Sequence, residues 1–365
     1  IMQLDSSGKV QSYRFEKTVI HSAVKGVYAE LNALIDRAAS KEVEKKYAAV
    51  LPTMQIMLEI YQKLAALRKA RGSMDIESGE SKLIIDEDGI CIDVKKVERG
   101  ITEQLIEEFM LLANGCAANL ARKKQLPFVY RIHEQPDPER IAKLGQSLTG
   151  VNMPYRFANE IPTQLELSEL LDKTRNTPLE RTVHINILRS MAKAKYSPEP
   201  KGHYGLNLDD YAHFTSPIRR YPDLAIHRIL SAFVNNMPEE KIKAVYTGFA
   251  TSASGQSTER ELVAMTAERD CEDCYKAEYM QQFIGQELEG TISSVAAHGL
   301  YVELPNTVEG LVHITRLSQN SAPVLTEGVG LYDALSGKNY KIGDQVRVKV
   351  LAAEVSTGNI DFDLV

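Results

Sequence analysis

At Ile284 the chain changes character, and that change sets the fold class. Before it, apolar residues recur at three- and four-residue steps, as helices require. After it they alternate in short runs punctuated by glycine, at 285–295, 299–304, 309–314, 340–351 and 359–364. Five short strands in so short a span suit a small closed barrel, which leaves no open sheet edge. The expectation is therefore an α+β chain, with helices and small sheets over 1–283 and a β-barrel over 284–365.

The first portion opens on two strands around the turn Asp5-Ser6-Ser7-Gly8-Lys9. A helix is predicted over 24–36. A longer one follows, with Met54, Met57, Ile60, Tyr61, Leu64 and Leu67 on one face, ending near Gly72. Met57 and Tyr61 read as core at that spacing. A hairpin turns at Asp86-Glu87-Asp88-Gly89, whose acidic tip lacks the spaced ligands of a metal loop. Helices are predicted over 103–124, 137–148, 164–171 and 178–195, interrupted by a short strand at 128–132. A very long helical tract runs over 239–283.

Between these helices lies a stretch with no apolar period of its own: Tyr211-Ala212-His213-Phe214-Thr215-Ser216-Pro217-Ile218-Arg219-Arg220-Tyr221-Pro222-Asp223-Leu224. Pro217 fixes one backbone angle and removes an N–H, so Thr215-Ser216-Pro217 reads as a stiff turn. Arg219 and Arg220 are expected to project beside the phenol of Tyr221. Two permanently charged, forked donors next to an aromatic face suit a phosphodiester and its stacked base. Pro222 and Asp223 read as the start and the cap of the helix that follows.

This string resembles the signature of the ribonuclease II family, the 3′→5′ exoribonucleases built on an RNB-type catalytic domain. Gly202-His203-Tyr204-Gly205-Leu206, the acidic run Ile106-Glu107-Glu108-Phe109-Met110-Leu111-Leu112-Ala113-Asn114, Arg131-Ile132-His133, Leu188-Arg189-Ser190-Met191 and Ala267-Glu268-Arg269-Asp270 fall in the family's order. The terminal strands resemble the OB-fold RNA-binding domain named for a small-subunit ribosomal protein, with Tyr301 and His313 at its ring positions. The resemblance implies a catalytic domain over 1–283 and an OB-fold barrel over 284–365. It implies hydrolysis of single-stranded RNA, or of RNA with a 3′ overhang, to nucleoside 5′-monophosphates by a cytoplasmic, monomeric enzyme with Mg²⁺ as its cofactor. It also implies roles for single residues. Arg219 would offset charge on the scissile phosphate and Arg220 would hold the neighbouring backbone. Tyr28 would position the terminal nucleotide, although Lys25-Gly26-Val27 depart from the family's residues ahead of it. Glu108 would lie at the catalytic channel. Tyr221, His213, Glu268, Arg131 and His133 would line the RNA path. Taken alone, Tyr28 reads as a core residue and Glu268 as a surface ion-pair partner.

Splitting a phosphodiester at neutral pH calls for two divalent ions held by clustered carboxylates. The family's aspartate cluster is expected ahead of Ile1, so no metal ligand set is expected within these residues, and Asp209-Asp210 makes a poor substitute because adjacent side chains point apart. Cys271-Glu272-Asp273-Cys274 has half the spacing of a zinc site and no second half. Four cysteines suit a reducing compartment better than a disulfide framework. The net charge of −6 gives no global attraction for RNA, and the segment from 284 onward carries five Lys and Arg against ten Asp and Glu. No apolar run is long enough for a membrane span. Two further readings stay open: an RNA-binding member of the fold without catalysis, and a barrel that docks proteins.

Overall fold

The structure is a computed structural model that describes residues 1–365 apart from 75–80, 98, 152, 178, 318–323, 327–329 and 334–336; for Leu325 and Thr326 it describes the backbone only. The chain begins with strands β1 (Met2–Leu4) and β2 (Val10–Tyr13), then helices α1 (Tyr28–Ile35), α2 (Lys41–Tyr47) and α3 (Leu51–Ala70). Strands β3 (Ser81–Ile85) and β4 (Cys91–Lys96) precede the long helix α4 (Ile101–Lys123) and strand β5 (Tyr130–Ile132). Helices α5 (Pro138–Gly150), α6 (Gln164–Thr174) and α7 (Glu180–Ser190) lead to strand β6 (Lys195–Ser197). Helix α8 (Tyr221–Val234) follows, and then the 42-residue helix α9 (Glu239–Met280). The last part holds β7 (Glu287–Ala296), β8 (Gly299–Glu303), β9 (Glu309–His313), the short α10 (Ile314–Leu317), β10 (Val324–Thr326), β11 (Gly330–Tyr332), β12 (Asn339–Lys341), β13 (Gln345–Glu354) and β14 (Asn359–Leu364). None of the described helices is long and apolar enough to cross a membrane.

These elements form two compact units, each assembled from three stretches of chain: 1–74, 98–134 and 193–260 in one, 75–97, 135–192 and 261–365 in the other. The first unit packs α4, β5, α8 and the first half of α9 around one core. Ala117, Ala118 and Ala121 line the inner face of α4, opposite Phe128, Tyr130, Ile226, Ile229, Ile242 and Ala250. Small residues there let backbones approach closely, while each fully buried isoleucine contributes roughly 1.5–3 kcal/mol. Strands β5 and β6 pair antiparallel, with Arg131 opposite Tyr196. This pairing shortens the helix expected over 178–195: residue 178 lies outside the described residues, the helix ends at Ser190, and Lys195 begins a strand instead.

The helix expected from residue 24 starts only at Tyr28. Val27 before it is extended and offers no capping side chain, and Val24 and Val27 are β-branched around a glycine, so nothing nucleates an earlier turn. Helix α2 was not expected. It is polar nearly all round, with only Tyr47 buried, and rests on local signals: Ser40 accepts from Val43 N–H, acidic side chains fill its first turn and lysines its last.

In the second unit, strands β13-β14-β9-β8-β7 close a five-stranded barrel. All of its pairings are antiparallel except β14 with β9. Along β8, Leu300 and Val302 point into the core while Tyr301 and Glu303 are only part-buried. Gly310 lies against Phe362, whose ring would sit 2.5 Å from an added Cβ, so that position tolerates no side chain. The strand expected over 340–351 divides at Gly343 (φ 94°), where Asp344 accepts from Lys341 N–H. The resulting β12 joins β10 and β11 in a small three-stranded sheet. The barrel core also takes in Cys91 and Val94 of β4 and Ala277 and Met280 of α9.

Candidate nucleic-acid interface

The signature has almost no sheet pairing to hold it, so side chains from two helices do that work. From α4, Asn114 Oδ1 accepts from Phe214 N–H at 2.9 Å, and Asn114 Nδ2 donates to the Tyr211 hydroxyl at 3.1 Å. From α8, His227 Nε2 lies 2.9 Å from the Phe214 carbonyl oxygen, and its ring stacks on Phe214 with centroids 4.5 Å apart. Asp223, fully buried, accepts from Ser216 N–H at 2.7 Å. The main chain of 214–216 is thus fixed from both sides.

This arrangement corrects two expectations. Asp223 is not the cap of α8: Arg220 occupies that position, and Asp223 reaches back from the third helical residue to the turn. Arg220 does not project either. Its Nη2 donates to Asp223 Oδ1 at 2.8 Å and its side chain is 19% exposed, so burial of the carboxylate draws the guanidinium inward. Arg219 is exposed beside a fully exposed Ile218 and a half-exposed Tyr221. Its N–H donates to Ser216 O at 3.3 Å, and among the described residues its guanidinium has no hydrogen-bond or ion-pair partner. Of the two arginines, only Arg219 is exposed.

Behind the turn, rings form a continuous cluster. Centroids lie 5.1 Å apart for His133–His203, 5.2 Å for His203–Tyr211, and 5.7 Å for both Tyr211–His213 and Tyr196–His213. The Tyr196 hydroxyl is 2.9 Å from His213 Nδ1, and the Arg131 guanidinium lies over the Tyr196 ring at 4.6 Å. Burial pushes His213 down to about 2, helped by the positive charges of Arg220, Arg131 and Arg219. Burial, with His133 and Arg131 nearby, likewise lowers His203 to about 3. Both imidazoles are therefore neutral at physiological pH.

Arg131 and His133 thus lie beside the signature residues His213 and Arg220. Glu108 is buried on α4, where Arg68 Nη1 contacts it and Glu107 at 3.0 Å each; Arg99 holds the other oxygen of Glu107 at 3.2 Å. Tyr28 stands at the start of α1 and is 46% exposed, which overturns its reading as a core residue. Glu268 is an exposed residue of the α9 segment in the second unit. On the barrel, Tyr301 and His313 lie on neighbouring strands β8 and β9, and His313 Nδ1 is 2.9 Å from Thr315 Oγ1. A further ring accompanies them: His298 Nε2 is 2.9 Å from the Tyr301 hydroxyl, the two rings edge to face at 5.7 Å. Its signal was visible as a ring three residues before Tyr301. His227 and Tyr196 left none, and Asn114 showed only as the end of the acidic motif, because each matters through a partner elsewhere in the sequence.

Among the described residues no three His, Cys, Asp or Glu side chains come together as a divalent ion would need. Asp210 is engaged by Arg122 Nε at 2.5 Å and by Asn119 Nδ2 at 2.7 Å, and Glu108 by Arg68, so these carboxylates do not fit a Mg²⁺ site. Cys271 and Cys274 are unpaired thiols on α9.

A profile of the RNB domain matches residues 1–236. The chain belongs to the RNB-domain family. A profile of the S1 RNA binding domain matches residues 281–364, over the closed barrel. Ribonuclease R 1 of Lactococcus lactis is 36% identical over the whole chain, which covers 44% of that protein. Ribonuclease R of Thermotoga maritima is 37% identical over the whole chain, which covers 51% of it. The chain thus spans about half the length of the curated relatives it matches. The apo form of Mycoplasma genitalium RNase R superposes with a TM-score of 0.91 at 23% identity, over 100% of this chain and 57% of that one, which shows the shared fold.

Proposed function

We propose that this RNB-family chain is part of a hydrolytic 3′→5′ exoribonuclease that shortens single-stranded RNA to nucleoside 5′-monophosphates. The observation that carries the reading is Arg219: an exposed guanidinium on a turn whose main chain is fixed by Asn114, Asp223 and His227. A charge held in that way is pre-set for the phosphoryl oxygens and needs no reorganisation as charge develops. Tyr221 offers a stacking face beside it, and the neutral imidazole cluster supports the turn without competing for the phosphate. Grip on the backbone combined with stacking tolerates any base sequence. The barrel, with Tyr301 and His313 on the adjacent strands β8 and β9 and His298 in the turn ahead of β8, is proposed as a second contact for the same strand. Mg²⁺ is the proposed cofactor, with its ligands outside these residues.

The test uses the full-length protein with Mg²⁺ and a 3′-extended RNA. Arg219→Ala is expected to lower turnover roughly 10²–10³-fold, the usual cost of removing one group that stabilises transition-state charge. Undiminished shortening by that variant would refute the reading. RNA binding without any shortening by the wild-type protein would replace it with the non-catalytic alternative.

A further inference from the structure

Helix α4 carries both the acidic pair Glu107–Glu108 and Asn114, and the spacing between them is informative. Position 114 lies seven residues, two helical turns, beyond 107, so Glu107 and Asn114 lie along one face of α4. Asn114 is 3% exposed and uses both polar ends of its amide on the signature, accepting from Phe214 N–H and donating to the Tyr211 hydroxyl. Among the described residues Phe214 N–H has no other acceptor, and four residues separate it from Arg219 across a turn stiffened by Pro217. Further along the same helix, Asn119 and Arg122 hold Asp210 at 2.7 and 2.5 Å. One helix therefore grips the chain at Asp210, just ahead of the signature, and at Tyr211 and Phe214 within it.

We propose that Asn114 is a positioning residue for Arg219: by fixing the main chain at Phe214 and the ring of Tyr211 it sets where the guanidinium stands. This rests on the catalytic reading of Arg219 given above. A buried amide that merely satisfied its own polar atoms would contribute to folding alone. An amide that aims the guanidinium contributes to turnover only while the guanidinium is present.

That difference is measurable by a double-mutant cycle in the full-length protein on saturating single-stranded RNA. Asn114→Ala is expected to lower kcat about 10²-fold, the cost of a displacement near 1 Å at a reacting centre, with KM within about 3-fold of wild type. In the Arg219→Ala background the same substitution is expected to change kcat by less than about 3-fold. Asn114→Asp, whose carboxylate accepts from both Phe214 N–H and the Tyr211 hydroxyl, is expected to stay within about 5-fold of wild type. If Asn114→Ala fails to fold, Asn114→Ser, too short to reach both partners, takes its place. Repetition of the full loss in the Arg219→Ala background, or an Asp variant as impaired as the alanine one, would overturn the proposal. An Arg219→Ala enzyme with wild-type turnover would instead remove the catalytic reading itself, a distinct outcome.

Discussion

Asp223 offers the sharpest test of how the signature is built. Its carboxylate is fully buried and serves two donors at once, Ser216 N–H at 2.7 Å and Arg220 Nη2 at 2.8 Å. Asp223→Ala removes the shared acceptor of both bonds and strands a guanidinium whose side chain is only 19% exposed. Breaking a buried pair from one side costs about 3–5 kcal/mol, because the remaining charge is left without compensation. Asp223→Asn keeps an oxygen for Ser216 N–H and loses only the charge, so its cost should be smaller, about 2 kcal/mol. Replacing both partners with apolar residues, as in Arg220→Met with Asp223→Leu, should recover much of the alanine loss, since no charge is then buried. Urea denaturation followed by circular dichroism reads all three. An Asp223→Ala protein within about 1 kcal/mol of wild type would show that this carboxylate does not hold the turn.

Two further outcomes follow from other parts of the structure. His203 and His213 are lowered to about 3 and about 2 in the fold, so the unfolded chain takes up their protons first as pH falls below about 6.5. Their contribution to stability is complete above that pH and declines from 6.5 down to about 3 for His203 and about 2 for His213; at pH 5 the loss is about 2 kcal/mol per ring, and an unchanged urea midpoint between pH 7.5 and 5 would contradict it. Tyr301→Ala should weaken binding of single-stranded RNA to the whole chain by about 1–3 kcal/mol, the value of one base stack; fluorescence titration at low salt measures it, and unchanged affinity would clear the barrel of that role.

The barrel was legible because its strands alternate and its glycines mark close approaches, as at Gly310 against Phe362. The signature was legible as a chemical string, and Arg219 was read correctly as an exposed cation. Arg220 was not, since nothing in a run of adjacent arginines reveals that one of them faces a buried carboxylate three residues on. Helix α2 escaped for a different reason: a seven-residue helix with one buried side chain shows no apolar period. Asn114 was visible only as part of a motif, because its meaning lies in hydrogen bonds to residues about a hundred positions away.

The strand pair Ser81–Ile85 and Cys91–Lys96 has one more implication. It lends Cys91 and Val94 to the barrel's interior, Ser81 Oγ lies 2.7 Å from Thr307 Oγ1, and Glu278 of α9 accepts from Cys91 N–H at 2.9 Å. A gene fragment trimmed to begin at residue 284 would strip these away and leave greasy, sticky patches open to water. Anyone wishing to study the S1 module by itself should graft or replace that borrowed wall, or else keep the polypeptide whole.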